Sequence, residues 1–317
     1  MAAALSLGAR GRGRTAPNPH VGCVIVRDYC VVGRGWTQPG GRPHAEAMAL
    51  EQAGTRAEGA TLYTTLEPCA HASPRGPTCS DLIVAAAIAR VVIALVDPDA
   101  RTCGQGVERL QSAGITVTHG PGGTAARRGM AGFLKRLALG RPHVTLKLAT
   151  SLDGQIALAD GTSRWITGPQ ARAHGHLERA RHEAILVGRG TLIADAPILN
   201  VRLAGLEDRS PRRLVLTSTG EAPAGWTALR RPADIAMLDS VNDVLVEGGA
   251  HTTAAFLSDD LVDRLILYRA PILIGGGRAA LSDIGLTDLS GAHGQWALCD
   301  TRMLGVDRLE VYERVRE

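Results

Sequence analysis

Three short stretches, His44-Ala45-Glu46, Pro68-Cys69 and Cys79, constrain this chain more than anything else in it. One imidazole and two thiolates suit a Zn²⁺ ion and leave a fourth position open for water. Two thiolates and a neutral imidazole also cancel the ion's charge, so such a site can be buried. To use the three together, the fold must bring positions 44, 69 and 79 to one point. The local signals supply the means. Pro43 and His44 open a helical stretch over 45–52, a strand over 61–66 delivers Pro68-Cys69, and Cys79 stands just before a helical 81–89.

The remaining pattern reads as two α/β domains. Residues 21–27 and 31–35 read as a hairpin around Asp28-Tyr29, and apolar strands follow at 91–96 and 115–118, giving a mixed sheet between helices. A short helix over 125–139 ends in Gly140-Arg141-Pro142, where glycine and proline mark a boundary. We therefore expect domains over 1–142 and 143–317, and 317 residues suffice for two cores. The second half alternates again. It reads as strands at 144–149, 184–187, 213–216, 243–246 and 265–268, with a helix over 169–181.

Composition narrows the function classes. With 45% hydrophobic and 21% charged residues the chain is globular, not disordered. Aromatic residues make up only 3%, too few to stack single-stranded nucleic acid, and the net charge of +4 forms no basic stripe. Arg10, Arg12 and Arg14 read as a solvated arm. No nucleic-acid partner is expected, and no apolar run reaches the length of a membrane span. The six cysteines come without a secretory signal pattern, which places the chain in a reducing cytoplasm and makes paired cysteines metal ligands before disulfides. Cys23, Cys30, Cys103 and Cys299 read as ordinary free thiols.

Glu46 gives the metal site a catalytic meaning. A zinc ion lowers the pKa of a bound water towards neutrality, about 7 in well-known enzymes, yielding a hydroxide nucleophile. Glu46 would take that water's proton and pass it to a ring nitrogen and a leaving amine. The H-x-E…P-C order with a later cysteine is the pattern of zinc deaminases acting on nucleobase-like rings, though nine residues lie between Cys69 and Cys79 instead of the usual two. A structural zinc site would want a fourth protein ligand, which His71 offers; otherwise His71 lines the pocket.

The surrounding residues resemble one family. Pro17-Asn18-Pro19-His20-Val21-Gly22, His44-Ala45-Glu46, Thr65-Leu66-Glu67-Pro68-Cys69-Ala70-His71 and Asp97-Pro98-Asp99 occur in that order. Leu146-Lys147, Ser151-Leu152-Asp153-Gly154, Ser163-Arg164-Trp165-Ile166-Thr167, Thr191-Leu192-Ile193-Ala194-Asp195 and Val246-Glu247-Gly248-Gly249 continue it. Together they resemble the bifunctional riboflavin-biosynthesis deaminase/reductases across nearly the whole chain. The resemblance implies a cytidine-deaminase-like α/β sandwich followed by a dihydrofolate-reductase-like α/β domain. By it, the first domain deaminates a diaminohydroxy-phosphoribosylaminopyrimidine with zinc, and the second reduces the ribosyl group to ribityl with NADPH. The chain departs from the family pattern in three places. The Cys69–Cys79 loop is one residue longer, Asp195-Ala196-Pro197 stands for Asp-Asp-Pro, and Thr217 replaces an acid before Ser218.

The same resemblance assigns the remaining residues. Asn18 and the region of Asp97 would contact the first substrate. Ala149, Trp165, Thr191, Asp195, Ser218 and Gly249 would hold NADPH, with a helix N-terminus after Gly249 near its phosphates. Ser163, Arg179, Leu199, Arg202 and Glu247 would bind the second substrate, the two arginines at its phosphate. Lys147 is expected to be catalytic: Lys135 and Lys147 are the only lysines among 35 basic side chains, so a lysine kept here suggests chemistry that arginine cannot perform. A homo-oligomer is expected. Two rivals stand beside this reading: a deaminase of another ring with an unrelated second domain, and a degenerate second domain that only mediates association.

Overall fold

The computed structural model describes residues 1–71 and 76–316. It divides into two compact units, Met1–Gly140 and Arg141–Glu317. In the first, α1 (Ala2–Gly8) precedes β1 (Gly22–Arg27), β2 (Cys30–Trp36) and α2 (Ala45–Ala53). Then come β3 (Thr61–Thr64), α3 (Cys79–Ala85), β4 (Arg90–Ile93), α4 (Gln105–Ser112), β5 (Thr116–His119), α5 (Gly123–Gly129) and α6 (Ala131–Leu139). The sheet order is β2-β1-β3-β4-β5, antiparallel through β3 and parallel beyond it. Asp28 and Tyr29, both at positive φ (49° and 61°), form the two-residue turn that closes the β1–β2 hairpin.

Helix α2 is pressed unusually close to β2, and glycine permits it. A Cβ at Gly35 would lie 2.0 Å from the Ala45 carbonyl oxygen, and one at Gly33 would lie 2.2 Å from that of Ala49. The approach sinks Ala45 and Ala49 into a core with Cys23, Ile25, Leu62, Ile83, Val91 and Ile93. Truncating a side chain as buried as Ile93 to alanine would cost about 2–5 kcal/mol. The same approach fixes where the first turn of α2, carrying Glu46, meets the sheet.

Two expectations change in this unit. The arginine arm is only partly solvated: Arg10 is exposed but stacks 5.0 Å over the Trp36 ring, while Arg12 and Arg14 are half-buried and the Arg14 carbonyl accepts from the Gly40 N–H. The apolar residues of α1, Ala4 and Leu7, pack on Val24 and draw the arm down with them. The stretch read as one helix over 125–139 is two, parted at Met130, whose φ/ψ of −97°/23° is not helical.

The second unit runs β6 (His143–Thr150), β7 (Gln155–Ala157), α7 (Pro169–Arg179), β8 (Ala184–Gly188), α8 (Arg189–Asp195), β9 (Arg212–Leu216) and β10 (Trp226–Leu229). It continues with β11 (Asp243–Val246), α9 (Ala250–Ser258), β12 (Arg264–Arg269), β13 (Arg278–Ala279), β14 (Trp296–Leu304) and β15 (Asp307–Arg314). Eight strands form one sheet in the order β10-β9-β8-β11-β6-β12-β15-β14. The first six are parallel, and the last two are antiparallel additions. Val144, Leu146, Leu186, Leu214, Val244 and Val246 fill one core, as near-continuous apolar runs do in a sheet covered on both faces. Connections leaving β8, β9 and β11 open at the carboxyl ends of parallel strands, where open α/β sheets bind ligands.

Candidate active sites

In the first unit, His44 caps α2, Cys69 follows β3 and Cys79 begins α3. Among the described residues these three form the one cluster that can hold a metal ion, their ligand atoms all within 4.8 Å of one another. His44 Nδ1 lies 3.3 Å from Cys79 Sγ and 3.5 Å from Cys69 Sγ. Ligands at ordinary Zn–S and Zn–N lengths in a tetrahedron would stand about 3.5 Å apart, so the donor set fits zinc in both chemistry and spacing. The two thiols are free, not bridged. The Cys79 N–H points at Cys69 Sγ at 3.3 Å, the kind of donor that favours thiolate. Cys79 and His44 hold the Cys69 thiol well below its usual range, while Cys69 and burial push Cys79 up.

His71 is not a fourth ligand. Its Nδ1 pairs with Thr102 Oγ1 at 3.1 Å and the ring lines the pocket. That pocket, a cavity of about 330 Å³, reaches His44, Glu46 and Cys69, with Asn18 and Asp97 also on its wall. Glu46 is 3% exposed, and burial pushes its carboxyl up. Its Oε1 meets the Thr64 hydroxyl at 2.9 Å, and the same hydroxyl lies 3.0 Å from the Leu66 carbonyl. Thr64 therefore serves both states of Glu46: it donates to the carboxylate, or accepts from the acid and donates to Leu66. Asp97, pushed up to about 6 by burial and by the neighbouring Asp99, Glu67 and Cys69, also faces the space, as do Glu67 and Asp99.

In the second unit, Lys147 projects from β6, with Nζ 3.8 Å from Glu247 Oε2 and 5.8 Å above the Tyr268 ring centroid. Glu247 follows β11. Burial alone would raise its carboxyl, but Lys147 and Arg179 hold it down at about 2. Arg179 forks onto that carboxylate through Nε and Nη2 at 2.8 and 2.9 Å, and its Nη1 donates to the Asn200 carbonyl. Its guanidinium is thus already engaged, which leaves little of it for a phosphate. Arg202 stands beside His176, with Nε and Nη2 at 3.4 and 3.3 Å from Nε2.

Three of the residues expected to hold the nicotinamide cofactor stand just past strand ends. Thr191 lies in α8 after β8, Ser218 follows β9, and Gly249 caps α9 after β11. The Thr191 hydroxyl is 3.4 Å from where a Gly249 Cβ would be. Asp195 ends α8, its carbonyl accepting from Arg164 at 3.2 Å. Trp165 is 64% exposed and stacks on Arg172 at 4.7 Å, and Ser163 lies on the same segment. Ala149 packs with Tyr268 on the sheet. Leu199 does not offer its side chain: at 4% exposure it belongs to a core with Ile185, Val187 and Leu245.

Comparison with known proteins gives the chain its place. The family model of the RibD C-terminal domain matches residues 142–232 and 233–305, and that of the cytidine and deoxycytidylate deaminase zinc-binding region matches residues 1–95. The riboflavin biosynthesis protein RibD of Escherichia coli is 39% identical, covering 97% of this chain and 96% of its own. This chain belongs to the RibD family. RibD of Corynebacterium ammoniagenes is 40% identical over 96% of this chain and 94% of its own. Among solved structures, Acinetobacter baumannii RibD superimposes with a TM-score of 0.85 at 37% identity, over 99% of this chain and 97% of that one. The diaminohydroxyphosphoribosylaminopyrimidine deaminase/5-amino-6-(5-phosphoribosylamino)uracil reductase of Thermotoga maritima does so at 0.87 and 31%, over 98% and 97%.

Within this RibD-family chain, sequence reading passed over several pocket residues. Thr64, which stands behind Glu46 and not on the pocket wall, was passed over too, a threonine in a strand with nothing local to mark it. Arg42, Arg101, Phe133, Arg136 and Leu137 also line the first pocket, the last three from α6.

Proposed function

We propose that this protein is a bifunctional riboflavin-biosynthesis enzyme, with residues 1–142 as the deaminase and 143–317 as the reductase. The observation that carries the reading is the convergence of His44, Cys69 and Cys79 beside a buried Glu46, with His44, Cys69 and Glu46 on the wall of a pocket of about 330 Å³. The first substrate is the diaminohydroxy-phosphoribosylaminopyrimidine. His44, Cys69 and Cys79 would hold zinc, which supplies a Lewis acid that makes water acidic enough to attack at neutral pH. Glu46 takes one proton of that water on a carboxylate oxygen and hands it to the ring nitrogen, then takes the second from the added hydroxyl and hands it to the amine, which leaves as ammonia. Thr64 keeps Glu46 aimed through both transfers, and Asn18 presents a donor and an acceptor to the ring edge.

In the second unit NADPH supplies the hydride, and Ala149, Trp165, Thr191, Asp195, Ser218 and Gly249 would hold it. The N-terminus of α9, capped by Gly249, would offer its amides to the cofactor's phosphates. Lys147 stabilises the charge that develops on the sugar as hydride arrives. Glu247 fixes Lys147 and meets a substrate hydroxyl or amine. Ser163, Arg202 and the Leu199 backbone would complete the substrate site, with Arg179 acting on it through Glu247.

Among the described residues no disulfide joins any of the cysteines, which suits a reducing compartment, and we place the enzyme in the cytoplasm. Among the described residues no helix is long and apolar enough to cross a membrane. Strand β14 ends its sheet with Leu298 and Met303 exposed, which supports association into a homo-oligomer. The test is ammonia release from the phosphoribosylaminopyrimidine, with thermal protection by NADPH measured alongside. Both should be seen, since a bound ligand must stabilise the fold. A chain that releases no ammonia, or is indifferent to NADPH, would refute the corresponding half.

A further inference from the structure

Glu67 stands two residues before a zinc ligand, yet the deamination chemistry above gives it no task. It is 3% exposed, and both carboxylate oxygens are in use. Oε2 accepts the backbone N–H groups of Asp97 and Gly104 at 3.2 and 3.1 Å, and Oε1 accepts that of Val107 at 3.1 Å. One buried carboxylate thus gathers three amides from a single segment, 97–107, the loop that leads into α4 together with its first turn. Charge-assisted bonds of this kind are stronger than neutral ones, and their loss leaves buried donors unmet.

That loop is a wall of the deaminase pocket. Asp97, Asp99 and Arg101 all line it. Asp97 Oδ1 accepts the Asp99 N–H at 3.0 Å, and Asp99 holds Arg101 through Nε at 3.0 Å. The loop can close on Glu67 only because position 106 is glycine. A Cβ there would lie 2.1 Å from the Pro68 carbonyl oxygen and 3.1 Å from Glu67 Oε1. Glu67 is also tied to the chain just beyond β4, its own N–H donating to the Leu95 carbonyl at 2.9 Å. The residues that hold metal and the residues that face the ring are therefore joined through one side chain.

We propose that Glu67 is a positioning residue of the deaminase, holding loop 97–107 so that the Asp97 carboxyl meets the polar edge of the pyrimidine. The proposal rests on the deaminase reading above. Glutamine at this position keeps size but sets an NH₂ group against N–H donors, so at least one of the three bonds fails. The loop then relaxes while the ligands stay in place. An effect on substrate affinity is expected, carried through Asp97.

The experiment is steady-state deamination of the phosphoribosylaminopyrimidine by the full chain, with zinc content and thermal midpoint recorded for each variant. Glu67→Gln should keep one zinc per chain and raise KM by about tenfold or more, with a smaller change in kcat. Gly106→Ala moves the same loop from its other side and should give the same split, which covers the case of a Glu67 variant that fails to fold. In an Asp97→Asn background, adding Glu67→Gln should cost little further, because a residue acting through another is not additive with it. A lowered thermal midpoint with KM unchanged, loss of zinc, or full additivity with Asp97→Asn would each overturn the proposal. Failure of the unmutated enzyme to release ammonia would instead refute the deaminase reading itself.

Discussion

The Thr64 hydroxyl meets Glu46 Oε1 at 2.9 Å, tying the last residue of β3 to the first turn of α2. Because a threonine hydroxyl both donates and accepts, it can stay bonded as Glu46 gains and loses a proton. Thr64→Val keeps the shape and removes the bond. Deamination should fall by about tenfold, the cost of one buried hydrogen bond, with zinc unchanged. Glu46→Gln should cost more, on the order of 10²–10⁴, as loss of a general acid–base does. Ammonia release and metal analysis check both. Zinc loss in either variant would mean these residues support the metal and not the proton.

Cys69→Ser and Cys79→Ser should each empty the zinc site, since a hydroxyl is a far poorer ligand than thiolate. His71→Ala should keep its zinc, because His71 bonds Thr102 and stands outside the cluster. Metal content per chain after dialysis decides this. Zinc loss on removing His71 would indicate a four-ligand site.

Much of this architecture is legible in the sequence where the signal is local. The two-residue turn at Asp28-Tyr29 fixes the first hairpin, and the strand read over 243–246 is β11 to the residue. The zinc ligands could be named because donor chemistry restricts the choice to a few residue types. What could not be read depends on partners distant in the chain. Glu67 finds its amides 30, 37 and 40 positions away, and Thr64 finds Glu46 across 18. No periodicity encodes such bonds. The C-terminal hairpin escaped for another reason. Strand β14 has no buried face, so it lacks the alternation that reveals a strand. Arg179 was open to a phosphate role in the sequence because nothing there says that Glu247 would take its fork.

Glu183 gives the second unit a pH dependence. Burial and the nearby Asp243 carboxylate push its carboxyl up to about 8, while its oxygen accepts the Asp243 and Asn242 N–H groups. The folded form therefore holds this proton more tightly than the unfolded chain. Its contribution is fully present below the ordinary glutamate range and is lost as pH rises towards 8. Glu183→Gln keeps an acceptor oxygen without a charge. It should raise the thermal midpoint at pH 9 by about 2–4 °C, roughly 1 kcal/mol for a unit of this size, and do little at pH 5. Melting curves at the two values check this, and an equal shift at both would refute it.

Lys147, set between Glu247 and the Tyr268 ring, should resist even conservative replacement. Lys147→Arg keeps the charge but not its compact shape or the ability to give up a proton. NADPH binding and deamination should be unchanged, while single-turnover reduction of deaminated substrate falls by roughly 10²–10³. A variant reducing within about threefold of the unmutated rate would make Lys147 an ordinary strand residue, since a catalytic charge is worth far more.

The central claim is that one chain carries out two consecutive reactions, and product masses test it most directly. The purified protein is incubated with the diaminohydroxy-phosphoribosylaminopyrimidine, with and without NADPH, and the products are weighed by mass spectrometry. Without NADPH, the account predicts a single product in which one ring amine has become oxygen. With NADPH, that product should gain two hydrogens on the sugar as the cofactor is oxidised. An unchanged substrate in both samples, or a deaminated product that NADPH leaves untouched, would contradict the claim.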